Sequence, residues 1–123
     1  MYKKILAVDD DKETLEMLRD LLLRYDYKVE TLSKAENIFQ AVARFKPDLI
    51  LLDIMLAGLD GTIICSALKS APETRHIPII FISGNYQAAS RLLESTEGAP
   101  DDFVLKPFDV QALINKIQFQ LAA

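Results

Sequence analysis

Four short apolar runs punctuate the chain, and each stops at a polar side chain. Ile5-Leu6-Ala7-Val8 stops at Asp9, and Leu49-Ile50-Leu51-Leu52 stops at Asp53. Ile77-Pro78-Ile79-Ile80-Phe81-Ile82 stops at Ser83, and Phe103-Val104-Leu105 stops at Lys106. Unbroken runs of this length read as strands buried on both faces, the habit of a parallel sheet. Tyr27–Leu32 alternates instead of running apolar, which suits an edge strand. Helical spacing fills the gaps. Leu15, Leu18, Leu22 and Tyr25 recur at three and four within Lys12–Tyr25. Ile38, Phe39, Val42 and Phe45 do so within Ala35–Phe45, which Pro47 terminates. Ile63, Ile64, Ala67 and Leu68 mark Asp60–Ala71, and Leu92 and Leu93 anchor a weaker helix at Tyr86–Glu97. Asp109 is placed to cap a last helix to Leu121, carrying Val110, Leu113, Ile114 and Ile117. Five strands alternating with five helices predict an α/β protein with a doubly wound parallel sheet between two helical layers.

Composition narrows the setting. The chain has 123 residues, 50% hydrophobic and 26% charged, with four Gly and five Pro. That is one globular domain able to bury a core without staples, and it excludes a disordered or collagen-like chain. A formal charge of −4 disfavours general attraction to nucleic acid or to an anionic membrane. No run approaches the ~20 apolar residues of a membrane span, and the short run after Met1-Tyr2-Lys3-Lys4 predicts no secretory leader. Cys65 is the single cysteine, so no internal disulfide is expected and a reducing, cytoplasmic setting fits.

The polar stops carry the chemistry. In an open α/β sheet, ligands bind beyond the carboxyl ends of the strands, where the strand order reverses. Asp9, Asp10, Asp53, Ser83 and Lys106 all follow strand runs, so four strands are expected to deliver them to one edge. Three crowded carboxylates repel one another and call for a cation. A hard divalent ion such as Mg2+ favours oxygen donors of this kind. Lys106 offers a compact positive charge to an anionic oxygen, and Ser83 offers a hydroxyl donor. A carboxylate can also serve as a nucleophile in phosphoryl transfer, where positioning and charge neutralisation do most of the work. Asp11 is assigned as cap of the first helix, and Lys12, Glu13, Glu16, Arg19 and Asp20 as its solvated face. His76 reads as a loop histidine, Cys65 as an unreactive helix residue, and the Met17 and Met55 side chains as packing.

The runs ILAVDDD (5–11), LILLDIMLAGLDG (49–61), IIFISGN (79–85) and DDFVLKPF (101–108) resemble the receiver domain of two-component response regulators, in order and spacing, over essentially the whole chain. The resemblance implies a flavodoxin-like (βα)5 fold with strand order 2-1-3-4-5, as one domain over 1–123, either standing alone or belonging to a larger regulator or hybrid kinase. It implies that Asp53 accepts a phosphoryl group from the phosphohistidine of a histidine kinase or phosphotransfer protein. Asp9, Asp10, Asp53 and the backbone carbonyl of Met55 would hold Mg2+ or Mn2+. Ser83 and Lys106 would bind the phosphoryl oxygens, Phe103 would turn inward as the Ser83 hydroxyl moves, and the Lys106-Pro107 peptide would be cis. The affected surface would be the fourth helix, fifth strand and fifth helix, controlling a partner, an output domain or a homodimer. Such a protein is a switch that assists only its own phosphorylation and dephosphorylation, not an enzyme acting on other substrates.

The chain departs from the family pattern at several positions. Ala57 replaces a usual Pro, Gly84 follows the hydroxyl position, an extra Pro100 interrupts Gly98-Ala99-Pro100-Asp101-Asp102, and Phe103 lacks the hydroxyl of the more common Tyr. Ala57 keeps open a degenerate receiver that binds partners without phosphorylation. A Mg2+-dependent aspartyl phosphohydrolase is disfavoured, because Met55 stands where its second Asp belongs and no cap insertion fits. A flavin module is disfavoured because Asp9-Asp10-Asp11 would repel a phosphate.

Overall fold

A computed structural model describes residues 2–53, 55–56, 59–84 and 100–122. Five parallel strands form the sheet: β1 Lys4–Val8, β2 Lys28–Leu32, β3 Leu49–Asp53, β4 Ile79–Ser83 and β5 Asp102–Leu105. Their order is β2-β1-β3-β4-β5, as the family resemblance implies, so the winding reverses between β1 and β3. The helices are α1 Lys12–Arg24, α2 Ile38–Phe45, α3 Gly61–Ser70 and a C-terminal helix Val110–Ala122. Met55–Leu56 and Leu59–Asp60 form a small antiparallel ladder beyond β3. The predicted helix at Tyr86–Glu97, together with Ala57, Gly58, Gly98 and Ala99, lies outside the described residues.

Alternation along the strands builds two cores. Leu6, Val8, Ile50, Leu52, Ile79 and Phe81 pack with Ile38, Ala41 and Val42 of α2 and Ile64, Cys65 and Leu68 of α3. Ile5, Ala7, Leu49, Leu51, Ile80, Ile82 and Val104 pack with Leu15, Leu18 and Leu22 of α1 and Leu113, Ile114 and Ile117 of the C-terminal helix. Every residue of β3 and β4 is buried, which is why these runs are apolar without alternation. Each such Leu or Ile contributes about 1.5–3 kcal/mol by leaving water.

Local signals set the helix ends. Asp11 caps α1: its carboxylate accepts from the Glu13 N–H at 3.1 Å and the Thr14 hydroxyl at 2.9 Å. Those bonds, the Thr14 hydroxyl first, hold the Asp11 carboxyl below the ordinary carboxylate value. Asp109 accepts from the Gln111 N–H at 3.3 Å and caps the C-terminal helix. The stretch Ala35–Phe45 is helical throughout, but its first turn, Ala35–Asn37, is 3-10. Lys46 closes α2 in the left-handed region at φ 53°, its N–H returning to the Val42 carbonyl at 2.8 Å, and Pro47 prevents continuation.

Several apolar assignments need correction: Tyr25, Phe39, Ile63 and Val110 are 40%, 46%, 68% and 42% exposed, and Ala67 and Met17 also face solvent. In α3 the inward face is Ile64-Cys65-Leu68, and Ile63 with Ala67 lies one residue round the helix. Ile77 is buried but precedes β4. Its N–H bonds to the Thr74 carbonyl at 3.0 Å, while Pro78 has no N–H for the ladder.

Candidate functional site

The strand ends meet at the carboxyl edge of the sheet. Asp9 follows β1 and Asp53 closes β3, and the register pairs Val8 with Leu52, so the two aspartates leave neighbouring strands side by side. Ser83 closes β4 opposite Leu105 of β5, and the Lys106 N–H donates to the Ser83 carbonyl at 2.7 Å. The sequence expectation of one polar edge fed by four strands therefore holds.

Asp9, Asp53 and Ser83 are buried, whereas Asp10 is exposed. Asp9 is held from both sides. One carboxylate oxygen accepts the Asp11 N–H at 2.9 Å and the other accepts Lys106 Nζ at 2.9 Å. The same ammonium lies 3.6 Å from Asp53 Oδ2. Burial alone would lower the Lys106 pKa. The hydrogen bond to Asp9 and the charges of Asp53 and Asp9 outweigh it and hold the ammonium above the ordinary lysine value. Lys106 is thus a fixed positive charge across the working pH range.

One carboxylate oxygen from each of Asp9, Asp10 and Asp53 falls within 4.8 Å of the others. The donor set is all oxygen, carries net negative charge even with Lys106 against it, and combines two buried groups with one exposed one. That chemistry suits a hard divalent cation that keeps some of its water, and not a soft metal that prefers sulfur. Gly84 leaves open space beside Ser83, since a β-carbon there would meet nothing within 4 Å. The Lys106-Pro107 peptide is cis.

Phe103 is half-buried. Its ring packs against the core shared by α2 and α3, and Lys116 Nζ stands 5.6 Å from the ring centroid. Lys116 also pairs with Asp102 Oδ1 at 2.9 Å. The sequence reading gave neither Lys116 nor Asp102 a role. No periodicity links a strand residue to a helix position fourteen residues later, so only the packing of the C-terminal helix on β5 reveals the contact. His76 is an exposed loop residue. Cys65 is buried, and burial pushes its thiol up to about 11, which fits an inert packing role.

The comparisons with known proteins converge. The family model of the response regulator receiver domain matches residues 5–118. The response regulator PleD of Caulobacter vibrioides is 35% identical over 118 residues, covering 96% of this chain and 26% of that protein. The phosphate regulon transcriptional regulatory protein PhoB of Rhizobium meliloti is 31% identical over 121 residues, covering 98% of this chain and 53% of that protein. This chain thus spans between a quarter and about half of the curated relatives it matches. Among solved structures, the signal receiver domain of a signal transduction histidine kinase from Syntrophus aciditrophicus superposes with a TM-score of 0.86 at 28% identity, covering 98% of this chain and 90% of that one. The BeF3-activated receiver domain of RstA from Klebsiella pneumoniae gives 0.86 at 28% identity, covering 98% of this chain and 100% of that one. No helix among the described residues is long and apolar enough to cross a membrane.

Proposed function

The chain belongs to the response regulator receiver domain family, and from that premise we propose that it is a phosphorylatable switch whose phosphoacceptor is Asp53. The observation that carries this reading is the convergence of Asp9, Asp10 and Asp53 within 4.8 Å, with Lys106 lying against Asp9 and Asp53. A carboxylate oxygen of Asp53 attacks the phosphorus of a phosphohistidine, the P–N bond breaks, and the histidine leaves with its electron pair and takes up a proton. Lys106 faces the phosphoryl oxygens and neutralises the charge they carry. The Ser83 hydroxyl donates to one of those oxygens. Asp9, Asp10 and Asp53, with the Met55 carbonyl, would hold Mg2+ or Mn2+, which would supply neutralisation of phosphoryl charge. The phosphoryl donor is a histidine kinase or phosphotransfer protein. Movement of Ser83 and Phe103 then alters the face that includes β5 and the C-terminal helix, which acts on a partner or output domain. The chain assists its own phosphorylation and dephosphorylation and turns over no other substrate.

The test is labelling by a small phosphodonor such as acetyl phosphate. Incorporation should require Mg2+ and vanish in Asp53→Asn. Unchanged labelling of that variant removes Asp53 from the role.

A further inference from the structure

Phe103 lacks the hydroxyl that would let a tyrosine hold its place by hydrogen bonding, yet its ring sits in a defined contact. Among the described residues β5 pairs only with β4, and its other edge carries no strand. Alternation sends Asp102 and Val104 toward the C-terminal helix and Phe103 toward the α2–α3 core. Lys116 touches residues of both faces: Asp102 Oδ1 at 2.9 Å and the Phe103 ring centroid at 5.6 Å. Its ammonium therefore lies across that edge of the strand. Asp102 is anchored in turn, because the same Oδ1 accepts the Phe103 N–H at 2.8 Å. A carboxylate fixed to the strand thus holds a cation over the neighbouring ring.

We propose that Lys116 is a positioning residue for the switch: held by Asp102, it retains the Phe103 ring at the sheet edge and opposes its inward turn. This rests on the reading of Phe103 as the moving aromatic given above. On that reading the ring as described is in its resting place and an inward turn takes it away from the ammonium, so the contact stabilises only the resting arrangement. Such a contact shifts a two-state equilibrium by its own free energy and no more. A cation over an aromatic ring at a partly exposed site corresponds to roughly a two- to five-fold bias. The Asp102 pair stays intact when the ring leaves, so it supplies position and not bias.

The experiment combines the assigned aromatic NMR resonances of Phe103 with titration by beryllofluoride and Mg2+ in the intact chain. Lys116→Gln should shift the resting Phe103 resonances toward their activated positions and tighten apparent beryllofluoride affinity about two- to five-fold. Lys116→Arg, which keeps the cation, should behave as the parent. In a Phe103→Leu background, Lys116→Gln should change nothing, whereas a merely structural lysine would act in both backgrounds. Parent-like resonances and affinity in Lys116→Gln would overturn the latch while leaving the phosphoacceptor reading intact. A parent chain that responds to neither acetyl phosphate nor beryllofluoride would overturn both.

Discussion

Lys106 is the most informative residue to remove, because its charge works against two buried carboxylates. Its ammonium is 2.9 Å from Asp9 and 3.6 Å from Asp53. At an effective dielectric of about 20, each attraction has a gross value of about 5 kcal/mol. Most of that is offset by the water the groups give up. A hydrogen bond to a charged partner nets about 1.5–3 kcal/mol. The 29% exposure of the Lys106 side chain places it in the lower half of that range. Lys106→Met keeps the aliphatic stem and deletes the charge, so the metal-free protein should lose about 2 kcal/mol. The Asp9 carboxylate stays buried and keeps only its bond from the Asp11 N–H among the contacts described above. Added Mg2+ should then recover part of the loss, since a cation held by the same oxygens replaces the missing charge. A recovery of about 1 kcal/mol means a Mg2+ affinity about five-fold tighter than in the parent, by linkage. Urea denaturation with and without Mg2+, joined to a Mg2+ titration, measures both effects. Matching metal-free midpoints, or a Mg2+ affinity that falls instead of rising, would refute the electrostatic account of the site.

Three further outcomes follow from contacts outside that pair. Asp11→Ala should lower the melting temperature without altering Mg2+ affinity. Because the folded carboxyl of Asp11 titrates below its ordinary value of 3.8, its contribution is present above that value and fades as pH falls through the folded pKa, so melting curves of variant and parent should converge in acid. Lys69, only 16% exposed, donates to Asp101 at 2.8 Å and to the Ile77 carbonyl at 2.9 Å, while Asp101 also accepts the Ile79 N–H at 2.8 Å. Lys69→Met should therefore cost about 1.5–3 kcal/mol in urea denaturation, and a change within error would show that the staple is idle. The Cys65 thiol, pushed up to about 11 by burial, should resist a disulfide reagent at neutral pH until urea unfolds the chain, and stability should decline as pH rises from about 9 toward 11. Rapid native labelling would contradict its burial.

The strands were legible because a sheet covered on both faces demands uninterrupted apolar runs, and the polar residues ending those runs mark one edge. Asp9, Asp53, Ser83 and Lys106 all obey that rule. The existence of the four described helices was equally legible, but helix phase was not. Ile63 and Ile64 fit the same spacing, and only packing against the sheet decides that Ile64 goes in and Ile63 out. Phe39 fails for the same reason beside Ile38. The Lys69–Asp101 and Lys116–Asp102 pairs join a helix to the sheet across loops, so spacing along the chain holds no trace of them.

The site and the core are nonetheless set by one device, the register of the parallel ladders. Val8 pairs with Leu52 and Asp53 with Ile82, and this alignment brings Asp9 beside Asp53. Ser83 pairs with Leu105, which leaves Lys106 one residue past the sheet and free to reach back to both aspartates. A slip of one residue in β3 would move Asp53 by about 3.3 Å and turn its side chain to the opposite face. The same slip would exchange Leu49 and Leu51 with Ile50 and Leu52 between the two cores, and aliphatic side chains of similar size resist that only weakly. The stronger penalty falls on Asp53, whose carboxylate would enter an apolar layer. The charged residue at the strand end therefore fixes the register of the apolar run before it, and the apolar run holds that carboxylate within reach of Lys106.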